Sequence, residues 1–522
     1  MKKNIRLIII ISIIVAVLGI ASAVLLSMPE SEDSGIKTTA TDILLYDKTS
    51  LDAEEITVEN LSGEFTFLGF SYAKEASQAA EESAAVESQK TTDESRNLRT
   101  VDGITPSDIK MHYTMQGYDD NELISSLTDV LAYQCSYLTA LKIVDRSGSK
   151  YADYGLDKPR ATITVTFSNN SQETIYLGSD APGDAGIYMR RDGNANVYLT
   201  ALDSVDSFFV AKLQYFDTML TSGLETEETI KLFTISGRGF EKPISITSDV
   251  GNTTLSTYVM TSPRREICST EKVENVANDL FGFNGLAVIS AKPTKEEIAK
   301  YGLEDPYAEV SGEGINGTAY TLLISEADSD GCCYIMKKDG TLICKLPVDD
   351  ISGWYYAEDY MFFSNNILYP VFTELTGVDI TTGGKTYNYR LKSETKEDEL
   401  FEIVTVTEVT LKGYSGEING MDTYITNLGN IRRGEYTDTV TGDFKEIYKA
   451  VLTYSQDDPT DTIQIYSNGQ KYLMAYNGIV ECYVDADYIQ KLLDQTKPLS
   501  EGKSLEYIEK TTDEESVQEN SQ

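Results

Sequence analysis

One histidine, His112, occurs in the 522-residue chain, inside the strand-like stretch MHYTM, with no Ser or Cys signature beside it to complete a nucleophilic triad. The acids of EADSDG at 326–331 open like a calcium loop, with Glu326, Asp328, Asp330 and Gly331 at the expected spacing. Such a loop needs a bidentate acid at its twelfth position, and that position is Lys337. The six cysteines include no C-x-x-C pair, which argues against structural zinc. No G-x-x-x-x-G-K-[ST] is present, and the G-x-G-x-x-G spacing occurs only as GEGING at 312–317, where a strand-like run and not a helix follows, so nucleotide binding has no support. With 83 acidic side chains, any pairing of carboxylates for glycoside hydrolysis carries no information. No catalytic residue, metal ligand or cofactor is therefore assigned, and the binding residues are unknown.

One candidate recurs. YGLDKP at 154–159 returns as YGLEDP at 301–306, giving Tyr154, Gly155, Leu156 and Pro159 against Tyr301, Gly302, Leu303 and Pro306. PTKEEIAK before the second copy has the composition of a short helix, with Glu296 and Glu297 in its first turn. A glycine just past a helix end takes the left-handed conformation without a Cβ penalty, a following leucine packs back on the last turn, and proline forbids further helix. The fifth position changes from Lys158 to Asp305, a charge reversal that a shared catalytic role would not tolerate. The eight residues are read as a structural motif that stops a helix and launches a strand.

The two copies stand 147 residues apart, and that offset aligns Tyr154–Phe216 with Tyr301–Phe363 without a gap. MRRDG at 189–193 falls on MKKDG at 336–340, Asp203 on Asp350, and SFF at 207–209 on WYY at 354–356. YLMAYNG at 472–478 is a fainter third copy, without the hexapeptide. Its Asn-Gly, like the Asp-Gly pairs of the other copies, suits a hairpin turn with positive φ at both central residues. Each unit opens with strand-like alternation, passes through a helix (about Asn121–Leu141, Glu271–Phe283 and Met421–Leu428), continues in short strands, and closes with an amphipathic helix (Ser204–Tyr215, Ile351–Phe362 and Ala486–Leu493). The expected fold class is α+β: two or three repeated units of mostly antiparallel sheet with flanking helices, at 42–220, 229–365 and, divergent, 371–498. WYYAEDYMFF at 354–363 is read as a core helix. If residues 337–340 form a four-residue loop, Cys333 lies opposite Cys344. A cross-strand disulfide among Cys332, Cys333 and Cys344 and free buried thiols both remain open.

Residues 74–100 and the acidic tail 499–522 are poor in large apolar side chains and are expected to be disordered. At the N-terminus, a cytoplasmic tip (1–6) carries Lys2, Lys3 and Arg6, and residues 7–28 carry no charge. Those 22 residues would span ~33 Å as a helix, enough for a bilayer's hydrocarbon core. Glu30, Glu32 and Asp33 follow in a linker over 29–41. The positive-inside rule then gives a single-pass anchor in the cell membrane, N-terminus cytoplasmic and the bulk extracytoplasmic. A cleavable signal peptide with Ala21-Ser22-Ala23 as its site is the alternative. The formal net charge of −39 repels phosphate backbones, which argues against nucleic-acid binding.

The Tyr-Gly-Leu-[Asp/Glu]-x-Pro motif, the Tyr- and Met-bearing strand and the closing aromatic segment resemble the domain-of-unknown-function 4340 family, over about 137–216 and 284–363 and weakly in the third unit. The resemblance implies an exported, membrane-tethered accessory protein of bacteria, found beside gliding-type ABC transporter operons. It implies no catalytic residues. The expected function is a non-enzymatic accessory or scaffold of an envelope complex with ABC-type transporter subunits as partners. A cell-wall glycan or peptide hydrolase and a tyrosine-rich glycan- or peptide-binding module are the alternatives.

Overall fold

Period-two burial governs the strands. Ala161–Phe167 (ATITVTF) buries Ala161, Ile163, Val165 and Phe167 and leaves the intervening threonines half-buried. The strand 147 residues later, Ala308–Gly314, repeats that burial pattern residue for residue. Short polar side chains pair across the other face, as in Thr57–Thr66 at 2.9 Å and Ser311–Thr321 at 3.0 Å. The structure is a computed structural model describing residues 42–70, 111–119, 121–225, 228–397, 403–437, 442–455 and 460–509. The expected anchor, its linker, the 74–100 insertion and residues 510–522 lie outside them. Among the described residues no helix is long and apolar enough to cross a membrane.

The fold is mixed α+β, with few helices and three large sheets in which every pairing between described strands is antiparallel. In the second sheet the opening strand Ile230–Ser236 lies in the interior. Ile244–Thr247, Val259–Ser262 and Glu266–Ile267 extend to one edge. On the other side come Ala308–Gly314, Ala319–Ile324, Cys332–Lys337, Leu342–Pro347 and finally Ala287–Ala291. The first sheet follows the same order from His112–Met115 to Lys142–Asp145, and the third from Ile403–Leu411 to Ile479–Val484. In the third, among the described residues, the edge strand that precedes each hexapeptide is represented only by a short bridge of Tyr436 to Cys482, flanked by backbone bonds from Gly434 and Glu435 to Tyr483. One hydrophobic core runs through the first two sheets, a second fills the third and takes in Ile267 of the second, and a small cluster forms around Leu303, Met336 and Ile343.

Several helices differ from expectation. The first spans only Ser125–Ser136, and Tyr137–Ala140 leaves it as a strand paired with Ile43–Asp47. Thr270–Ala277, capped by Ser269, ends in a 3₁₀ turn at Asn278–Leu280. Ser204–Tyr215 is not a helix. It is part of a chain of 3₁₀ turns at Leu202–Ser204, Asp206–Phe209 and Lys212–Tyr215, and Ile351–Phe362 breaks up the same way around Ser352–Tyr355. β-Branched Val205 and Val210 and clustered aromatics are weak helix formers, and extended residues at Val210, Ala211 and Glu358 redirect the chain. By contrast, Ala486–Ser500 outruns its expected end at Leu493. The expected disordered tail from 499 is packed as far as 509. Leu499 and Ile508 are buried, and the Ile508 amide donates to Asn427 Oδ1. Asn427, itself fully buried, supplies the partners that hold this segment.

Of the Asx-Gly turns only Asn477-Gly478 has positive φ at both positions, closing a two-residue hairpin between Tyr476 and Ile479. The loop after Lys337 sets a register in which Cys344 faces Ile335 and Cys333 faces Leu346, not each other. None of the six cysteines is joined in a disulfide. Burial pushes Cys268, Cys333 and Cys344 up to about 12. Cys332 alone among the six is half-exposed. Maleimide alkylation of the native protein should therefore label Cys332 and spare the other five until denaturant is added, as read by peptide mass spectrometry. Labelling of Cys344 at the rate of Cys332 would contradict the register.

Gly155 and Gly302 give a second test. Both have left-handed φ, 69° and 71°. A Cβ at Gly302 would touch only Ser325 Cβ at 3.5 Å, whereas at Gly155 it would meet Ser179 Oγ at 2.3 Å. Gly302→Ala should cost about 1 kcal/mol and Gly155→Ala about 2–3 kcal/mol, measured by urea unfolding.

Candidate functional site

The hexapeptides form two copies of one helix ending. In the second, Thr294 and Glu297 cap the helix Lys295–Lys300 reciprocally. The Leu303 amide donates to Ile298 O and the Gly302 amide to Ala299 O, the paired bonds of a Schellman ending. Leu303 is buried against Met336, Ile343 and Ile298. In the first copy the amides of Leu156 and Gly155 donate in the same way to Tyr151 O and Ala152 O, after a 3₁₀ turn. Tyr154 meets Tyr188 at 4.8 Å between ring centroids, and Tyr301 meets Tyr334 at 4.6 Å. Pro159 and Pro306 precede the strands Ala161–Phe167 and Ala308–Gly314. The two sets of four residues lie in different sheets and do not converge on one site.

His112 stacks on Phe70 at 5.8 Å. Asp328, from the calcium-like stretch, accepts from the Asp330 and Cys332 amides and pairs with Lys345 at 2.8 Å, which holds its carboxyl below the usual range. No group of three or more His, Cys, Asp or Glu side chains among the described residues could hold a metal ion.

Two clefts carry more chemistry. One, of about 360 Å³, lies where the first two units meet, between Asn121 and Asp217 on one side and Tyr320, Lys337 and Thr341 on the other. Asn121 Nδ2 bridges it by donating to Thr341 Oγ1 at 2.6 Å. The other, of about 440 Å³, lies within the second unit among Phe240, Tyr307, Tyr355 and Tyr356. Tyr307 and Tyr355 stack at 4.3 Å, the Gly239 backbone lies against the Tyr307 ring, and Tyr356 meets Tyr355 edge-on at 5.0 Å. Tyr356 is 55% exposed. Glu241, Lys242, Glu358 and Asp359 form the rim. Arg264 engages Asp359 at 3.2 Å, and Arg238, outside the cleft, is held by Glu326 at 2.7 Å. WYYAEDYMFF is thus core only in part: Trp354, Tyr355, Phe362 and Phe363 are buried, while Tyr356, Tyr360 and Met361 are exposed because the segment turns between short helical pieces.

Between the second and third units lies a buried ionic junction. Glu266, 1% exposed, accepts from Arg433 at 2.6 Å, and Arg433 also donates to the carbonyls of Ser364 and Asn366. Arg265 meets Asp461 at 2.6 Å, and Asp461 also accepts from the phenols of Tyr454 and Tyr476. Burial first, then the Asp461 charge, raises the Tyr476 phenol far above its ordinary range, so it remains a donor. These partners are distant in sequence and share no local motif, so only the acidic and basic composition hinted at them.

Residues 110–295 match the family described as a domain of unknown function (DUF4340). The resemblance first carried by YGLDKP and its flanking strands thus has a family match across the later part of the first unit and the first half of the second. The match includes Tyr154–Pro159 and stops short of Tyr301. No curated protein and no solved structure matches the chain.

Arg433→Met should cost about 2–4 kcal/mol, because it leaves buried Glu266 with only the longer contact to Arg264 at 3.9 Å. The double variant with Glu266→Met should recover much of that loss, since it removes both charges. Urea unfolding of the four-member cycle measures the coupling, and additive single costs would rule out a paired junction.

Proposed function

We propose that the protein is a membrane-anchored, extracytoplasmic accessory or scaffold protein of a bacterial envelope complex, with subunits of an ABC-type transporter as its partners. The observation that carries this reading is the way repeated sheets are joined in chain order. Thr218 of the first unit and Ser222 just after it accept from the Gly285 and Gly282 amides of the second, and the ionic junction ties the second unit to the third. Units joined this way hold related surfaces at fixed spacing, which suits assembly. The uncharged run over 7–28 and the basic residues before it support the tether. The family resemblance supports the accessory role and the choice of partner. The open tyrosine cleft favours, as a second reading, a module that binds a ligand.

Cross-linking the tethered protein in its native membrane, followed by mass spectrometry of the captured chains, tests the partner. Transporter subunits are expected, and their reproducible absence overturns the partner assignment. The membrane-bound mature chain should retain its N-terminal residues, whereas release after Ala23 would refute the anchor.

A further inference from the structure

We infer that the tyrosine cleft of the second unit is a binding site for a guanidinium group, supplied by an arginine side chain of a partner polypeptide. The argument comes from the duplicated fold. In the first unit the Arg160 guanidinium lies 5.0 Å from the centre of the Phe209 ring and pairs with Asp180 at 2.8 Å. The 147-residue offset carries Phe209 onto Tyr356, Arg160 onto Tyr307 and Asp180 onto Ala327. The aromatic position is therefore kept while the built-in cation is gone. Tyr307, in its place, stacks on Tyr355 and lines, together with Tyr356, an open cleft of about 440 Å³.

The rim changes sign along with this loss. Ala211 and Lys212 of the first unit correspond to Glu358 and Asp359 of the second, and Glu241 adds a third carboxylate. Asp359 is engaged by Arg264, which leaves exposed Glu358 and Glu241 beside the ring. Lys242 is the single base in the lining. An electron-rich ring face flanked by carboxylates attracts an organic cation, and planar guanidinium combines stacking on tyrosine with two-point hydrogen bonding to a carboxylate. The occupant of the first unit's own site has that chemistry. A cleft of this size also admits the peptide flanking such a side chain. The inference is independent of the transporter assignment, because it rests on the comparison between repeats and on the lining of the cleft.

The test is a titration of the full-length protein with N-acetyl-arginine amide and with its neutral isostere N-acetyl-citrulline amide, followed by ligand-observed NMR. Saturable binding of the arginine derivative is expected, with the citrulline derivative at least about tenfold weaker. Tyr356→Ala should weaken binding by about three- to thirtyfold, Tyr356→Phe should stay within about twofold, and Glu358→Gln should weaken it by about two- to fivefold. Lys242→Gln should bind at least as tightly as the parent. Tyr356 and Glu358 are exposed, so unchanged urea midpoints will separate lost binding from lost fold. Equal binding of the two derivatives, absence of saturation, or no change on Tyr356→Ala overturns the proposal. Equal binding of spermidine, with the same sensitivity to Tyr356→Ala, overturns the guanidinium assignment.

Discussion

The pairing of each unit's opening strand with a strand much later in the chain is the constraint on which the sheets depend. Ile230–Ser236 joins Ala308–Gly314, Ala53–Asn60 joins Ala161–Phe167, and Leu375–Thr382 joins Lys445–Tyr454. Each pairing closes a long loop, and its entropic cost must be met before the flanking strands have a template. The hexapeptides serve this closure in the first two units by ending a helical turn and delivering an extended chain at the correct edge. In the third unit, among the described residues, only the bridge of Tyr436 to Cys482 stands between Met421–Gly429 and Lys445–Tyr454.

The two junctions use different physics. Between the first and second units the core is continuous, and the chain segments that meet there exchange backbone hydrogen bonds. Between the second and third, paired ions are buried along with their hydrogen-bonding neighbours. A continuous apolar core, close-packed and crossed by backbone hydrogen bonds, holds the two sheets in one arrangement through shape. Buried ion pairs have the opposite character: they add little net stability but penalise any arrangement that leaves a charge unmatched.

Much of the architecture was legible because it was written in local patterns. Alternation located the strands, the 147-residue offset located the copies, and glycine with leucine identified the helix ending at both hexapeptides. The closing segments were misread because apolar residues at near-helical spacing can also be met by successive 3₁₀ turns, as Phe208, Tyr215 and Phe216 show by their burial. The disposition of Cys333 and Cys344 depended on the loop after Lys337, where a small change moves the whole register. The tyrosine cleft was hidden for another reason. Its ring and rim come from Phe240–Lys242, Tyr307 and Tyr355–Asp359, and only folding shows that Tyr356 faces outward while its neighbour Tyr355 is buried.

The division of the apolar interior has a consequence for how the molecule comes apart. A core shared by two sheets cannot lose one of them without exposing the other, so the first and second units form one cooperative block in spite of being separate copies. The third, whose core takes in only Ile267 from the second unit, is expected to open first once its ionic seam and the backbone bond from Val371 to Thr253 are broken. Three structural repeats would then amount to two melting units, with the boundary between them at the buried charges instead of at the sequence period.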